Sequence, residues 1–135
     1  MRLMAIDYGG KRVGIASTDE TGGFALPRAV WPNDETLLDK ILKLKVEEKI
    51  EKIIIGESKN LDGGVNPIQK EIARFKSELE KRLPRQAGGV EVVFHPEVFT
   101  TLEARRLQGS TEMTDASAAA LILKSFLDTV YNKGV

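Results

Sequence analysis

At 135 residues, with 41% hydrophobic and 30% charged side chains, the chain has the length of one domain and enough apolar surface to bury a core, which excludes a multi-domain protein and intrinsic disorder. It has no cysteine, which excludes a disulfide framework, a thiolate zinc site and a cysteine nucleophile and fits a reducing compartment. Twenty basic residues cancel twenty acidic ones, so no global field draws the chain to nucleic acid or anionic lipid, and a polyanion site has to be a local patch.

Three short runs rich in Val, Ile, Leu and Ala open the chain: Arg2 to Asp7, Arg12 to Thr18 and Phe24 to Val30. Gly9-Gly10 and the segment Asp19 to Gly23 break them, which predicts two consecutive hairpins. From Asn33, read as an N-cap, apolar residues recur at Leu37, Leu38, Ile41, Leu42 and Leu44, predicting a helix to about Ile50. Lys52 to Gly56 reads as a buried strand, and Ser58 to Asn66 as a Gly- and Asn-rich loop. Asn66-Pro67 then starts a second amphipathic helix, with Ile68, Ile72, Phe75, Leu79 and Leu83 on one face. Val90 to Phe94 supplies a fifth strand, and the capping-box pattern Thr100-Thr101-Leu102-Glu103 predicts a short helix from about Thr101 to Gln108. Thr114 reads as the cap of a last helix, Asp115 to about Tyr131. The expected fold is α/β, one domain over 1–135: a mixed sheet of three antiparallel strands plus two parallel ones, flanked by helices, with its site at the parallel strand ends. No apolar run nears the roughly 20 residues that span a bilayer, and Met1 leads directly into a strand pattern without a signal-peptide core, so a soluble cytoplasmic protein is expected.

Asp7 shares a strand face with Leu3 and Ala5 and stands beside a glycine pair. A carboxylate among apolar neighbours needs a partner, either the N–H groups of the turn or a metal ion. Glu97 follows the fifth strand and Asp115 lies in the first turn of the last helix, where an acidic residue also complements the helix dipole. An all-oxygen set of this kind suits Mg²⁺ or Mn²⁺. His95, the only histidine, reads as a surface residue of a strand-end loop, and Trp31 and Phe99 as core or rim packing rather than platforms for bases.

The run Met4-Ala5-Ile6-Asp7-Tyr8-Gly9-Gly10-Lys11-Arg12-Val13-Gly14-Ile15-Ala16 resembles the opening of the YqgF (RuvX) family, which has the RNase H-like fold shared with RuvC resolvases. The likeness continues through Ile55-Gly56, Asn60-Leu61-Asp62-Gly63, Thr100-Thr101-Leu102-Glu103-Ala104 and Asp115-Ala116-Ser117-Ala118-Ala119, nearly the whole chain in family order. Actin-like ATPases open similarly, but they need a second domain for which 135 residues leave no room. The resemblance implies a metal-dependent nuclease on structured nucleic acid, processing the 5′ end of pre-16S ribosomal RNA. The alternatives are a Holliday junction resolvase-like DNA endonuclease and a catalytically weakened binding module of ribosome assembly.

Carried over by position, Asp7, Glu97 and Asp115 are the catalytic and metal-binding carboxylates, holding two Mg²⁺ or Mn²⁺ ions. Where the family reads Asp-Glu-Arg before its Thr-Thr pair, this chain reads Pro96-Glu97-Val98, losing a carboxylate and a guanidinium suited to phosphate. Gln108 to Thr114 also contains no basic residue, where the family carries a lysine-rich stretch. Lys11, Arg12, Lys59, Arg105 and Arg106 remain to bind nucleic acid, with precursor rRNA, branched DNA or ribosome precursors as partners and a monomer or homodimer as the assembly. Glu57, at the end of the fourth strand, matches a glutamate of RuvC-like resolvases and is a further metal-ligand candidate if that strand lies beside the first.

Overall fold

A computed structural model describes residues 2–57, 67–83, 90–96 and 112–132. The elements run β1 (Leu3–Tyr8), β2 (Arg12–Thr18), β3 (Ala25–Pro32), α1 (Leu37–Glu47), β4 (Lys52–Glu57), α2 (Pro67–Arg82), β5 (Glu91–Pro96) and α3 (Glu112–Asn132). The strands form one sheet in the order β3-β2-β1-β4-β5. β1 pairs antiparallel with β2 and parallel with β4, and β4 pairs parallel with β5, which is the mixed arrangement expected. The predicted short helix from Thr101 to Gln108 and the loop Ser58 to Asn66 lie outside the described residues.

Alternation along the strands divides the core in two. Met4 and Ile6 of β1, Val13 and Ile15 of β2, and Ile53 and Ile55 of β4 face one side, covered by Leu37 and Ile41 of α1 and Ile72, Phe75 and Leu79 of α2. Leu3, Ala5, Ala16 and Ile54 face the other side, under Ala119, Ile122, Leu123 and Leu127 of α3. Met4, Ala5, Ile6 and Ile53 to Ile55 have no solvent exposure at all, so β1 and β4 tolerate an ionisable side chain only at their ends. β3 is an edge strand carrying Pro27 and Pro32, and Phe24 just before it and Leu26 within it are exposed.

Two helix starts differ from expectation. α1 begins at Leu37, because the Asn33 side chain is used elsewhere and Asp34 instead accepts hydrogen bonds from the Thr36 N–H at 2.9 Å and hydroxyl at 2.6 Å. α3 begins at Glu112, so Thr114 and Asp115 lie inside its first turn rather than at its cap. α1 ends at Glu47, three residues before the expected Ile50, with Lys49 in the left-handed region, φ 54°, and the Ile50 N–H returning to the Lys45 carbonyl at 2.9 Å.

At the edge where β1 begins, Arg2 joins three elements. Its guanidinium donates to the Thr18 carbonyl at 3.1 Å and pairs with Glu48, which also takes Arg28 of β3 at 3.1 Å. Arg28 in turn donates from Nε to the Ser17 hydroxyl at 2.7 Å.

The opposite edge depends on the turn after Asp7. A Cβ on Gly9 would stand 2.5 Å from the Arg12 carbonyl oxygen, a backbone atom that cannot swing aside, whereas one on Gly10 meets nothing within 4 Å. Gly9→Ala is therefore expected to lower unfolding free energy by about 1–3 kcal/mol and Gly10→Ala by under about 0.5 kcal/mol, read by urea denaturation.

Candidate metal and nucleic-acid site

Because β1, β4 and β5 run parallel, they end at one edge, with Tyr8, Glu57 and Pro96 as their last residues. Asp7 is half-buried there, on the sheet face that α3 covers, two positions beyond Ala5. Its partner on β2 is Gly14, and the β1–β4 register, Ile6 beside Ile55, brings Gly56 level with it on the other side. Both strand neighbours of the carboxylate thus lack side chains, so no residue beside it on the sheet competes for the space in front of it. The sequence reading placed Asp7 correctly but missed this flanking glycine pair, which only the strand register reveals.

The structure brings other predicted residues near this edge to different degrees. Lys11 and Arg12 are exposed on the turn that follows Asp7. β4 lies beside β1 as expected, and Glu57 ends it level with Pro96. Alternation from Ile53 and Ile55 assigns Glu57 to the α1–α2 face, opposite to Asp7, so it meets the Asp7 side only around the rim of the sheet. Asp115 is the fourth residue of α3, one turn before Ala119 of the core, and its side chain lies outside the described set. Glu97, Lys59, Arg105, Arg106 and Phe99 lie outside the described residues. Among the described residues no three acidic or histidine side chains converge on one point.

His95 is not the free surface residue that sequence reading expected. It is half-buried, with Nε2 2.9 Å from the Ser125 hydroxyl and its ring edge-on to Phe126 at 5.8 Å between centroids. Burial holds its pKa below the ordinary 6.5, and the neutral ring fastens the end of β5 to α3. Trp31 packs against the α1–α2 core, as expected of a rim residue.

On the far side of the sheet, Tyr8 stacks on Phe75 with centroids 4.8 Å apart, and the pair lines a cleft of about 370 Å³ between α1 and α2. Asp34, Glu71 and Glu78 line it against one cation, Arg74. Three carboxylates to one guanidinium repel a phosphate backbone. The lining of this cleft therefore disfavours a phosphate backbone.

Asn33 was expected to cap α1, and its function is different. Its side-chain Nδ2 donates to the Gly9 carbonyl and its backbone N–H to the Lys11 carbonyl, each at 2.9 Å. No short motif announces such a clasp.

Known proteins share the family and the fold of this chain. The family model RuvX, Holliday junction resolvase, matches residues 1–129. A Halalkalibacterium halodurans protein named "Putative pre-16S rRNA nuclease" is 31% identical over 140 residues, covering 95% of this chain and 96% of its own length. A Bacteroides fragilis protein of the same name is 35% identical over 138 residues, covering 95% and 96%. Among solved structures, Thermus thermophilus RuvC in complex with Holliday junction substrate aligns with a TM-score of 0.60 at 14% identity over 97% of this chain and 96% of that one. The fowlpox virus Holliday junction resolvase aligns at 0.57 and 12% identity over 96% and 99%. Those two identities speak for the fold alone, which is RNase H-like.

The Asp34 turn beside Asn33 gives a pH test. The Thr36 hydroxyl, then the Thr36 N–H, hold the Asp34 carboxyl below its ordinary 3.8. Its contribution to stability is therefore present above about pH 3.8 and lost as pH falls through the lower folded value. A carboxyl NMR titration should find Asp34 below 3.8, and Thr36→Val should move it upward.

Proposed function

Since the chain belongs to the RuvX Holliday junction resolvase family, we propose that it is a divalent-metal-dependent nuclease that hydrolyses phosphodiesters in structured nucleic acid, with the 5′ end of pre-16S ribosomal RNA as its substrate. The observation that carries this reading is Asp7 at the end of the central strand, flanked on its own face by Gly14 and Gly56. Branched DNA is the second reading, supported by the family's description.

The donor chemistry fits the group. A half-buried aspartate with side-chain-free strand neighbours offers hard oxygen to Mg²⁺ or Mn²⁺, and the chain has no thiolate to favour a softer ion. Asp7, Glu97 and Asp115 would hold it, with Glu57 contributing from the rim. Two such ions, when bound, activate a water for in-line attack and stabilise the leaving oxygen.

The protein's own part is placement. The Asp7 backbone is fixed by ladder pairing at the end of a strand whose Leu3 to Ile6 are buried, so the carboxylate is presented from a rigid base. Lys11 and Arg12, exposed on the adjoining turn, supply local positive charge to a chain whose net charge is zero. Lys59, Arg105 and Arg106 extend that grip. The acidic cleft on the reverse face keeps the phosphate backbone to one side.

Asp7→Asn keeps the shape and removes the charge, so cleavage of precursor rRNA or branched DNA with Mn²⁺ should fall by about a hundredfold or more, with the circular dichroism spectrum unchanged. Persistent cleavage by purified Asp7→Asn protein would refute the metal site. Millimolar Mg²⁺ or Mn²⁺ should raise the Tm of the parental chain by about 2–5 °C, and that rise should vanish in Asp7→Asn. Glu57→Gln, on the far side of the rim, is expected to reduce the rise rather than abolish it. A Glu57→Gln protein as insensitive to metal as Asp7→Asn would place both carboxylates on one ion. Metal binding without cleavage of either substrate would leave the binding-module alternative, for which Pro96 and Val98 speak.

A further inference from the structure

Three strand ends meet beside Asp7: the end of β1, the start of β2 and the end of β3. The β2–β3 ladder closes with Arg12 paired to Pro32, and the next residue, Asn33, continues it by donating its N–H to the Lys11 carbonyl at 2.9 Å. The Asn33 side chain then crosses to the third strand end, donating Nδ2 to the Gly9 carbonyl at 2.9 Å. One residue thereby holds two carbonyls of the turn Gly9-Gly10-Lys11, whose middle residue meets nothing that would brace it from the side-chain direction.

This bond separates two halves of the site. The Asp7 backbone does not depend on it, because ladder pairing with Gly14 and the buried strand before it already hold that position. Lys11 is more subject to it: its side chain is exposed, it sits on the turn between β1 and β2, and the Gly9 carbonyl ties the first residue of that turn to the end of β3. We propose that Asn33 is a positioning residue, which acts through Lys11 by fixing the basic turn relative to Asp7 so that a phosphate held by the turn meets the carboxylate. The proposal rests on the nuclease reading above and adds a residue that grips the substrate indirectly.

The test uses the full chain, the substrate that the parental protein cleaves, and the variants Asn33→Asp and Asn33→Ala. Both remove the Nδ2 donor and keep the backbone N–H that closes the β2–β3 ladder. In the metal-free protein, exchange of the residue-33 amide, which is bonded to the Lys11 carbonyl of the turn, should quicken by about tenfold in both variants while the amides of β1 and β4 keep their protection. In cleavage, KM should rise roughly fivefold, the worth of one hydrogen bond, with kcat little changed, the reverse of Asp7→Asn. Because Asn33 acts through Lys11, the double variant Asn33→Asp with Lys11→Ala should have no higher KM than Lys11→Ala alone. Additive effects in that cycle, or a KM unchanged by both Asn33 variants, would overturn the proposal, as would unchanged exchange of the residue-33 amide. If the parental chain cleaves neither substrate, the nuclease reading fails, and the exchange measurement still decides whether Asn33 holds the turn.

Discussion

The parallel pairing of β1 with β4 is the constraint on which the rest of the structure depends. Three consecutive positions on each of these two strands, Met4 to Ile6 and Ile53 to Ile55, have no solvent exposure because helices cover both faces, and such a stretch admits no charge along its length. The first position on β1 where a carboxylate is tolerated is therefore the carboxyl end, where the covering thins. The same pairing brings the end of β4 to that point and aligns the end of β5 behind it. The proposed site lies at this edge because burial stops there, and the strand that leads to it is buried from Leu3 to Ile6.

Much of this was legible in the residues. Apolar runs punctuated by Gly and Asp gave the strands, and the spacing from Ile68 to Leu83 gave α2 almost to the residue, because amphipathic periodicity and a first-turn proline are local signals. Asp7 stood out since a carboxylate among Leu3, Ala5 and Ile6 contradicts its surroundings. Asn33 was misread for a definite reason: an Asn after a strand serves equally as a helix cap or as a donor to a distant carbonyl, and only the third dimension decides between Gly9 and the first turn of a helix. His95 failed likewise, since nothing near it in sequence reveals that Ser125 and Phe126 cover it.

Glu57 shows how strand parity qualifies a resemblance. The likeness to RuvC-like chains matched it by position at a strand end, and β4 does lie beside β1. Which face a residue takes, however, depends on its own count from the buried positions, and Ile53, Ile55 and Glu57 alternate with Ile54 and Gly56. Gly56, and not Glu57, is what stands next to Asp7 on its own face. Adjacency of strands and agreement of faces are separate conditions, and the sequence motif conveys only the first.

The sheet's outer strand on the β3 side has a further consequence. Pro27 and Pro32 occupy it, each without an N–H and each with a ring that obstructs an incoming backbone. An edge interrupted in this way is a poor template for strand addition, so the sheet resists being lengthened by a neighbouring molecule on that side even though Phe24 and Leu26 expose apolar surface there. Among the described residues, contact across this flank is left to side chains such as Phe24 and Leu26 rather than to backbone pairing.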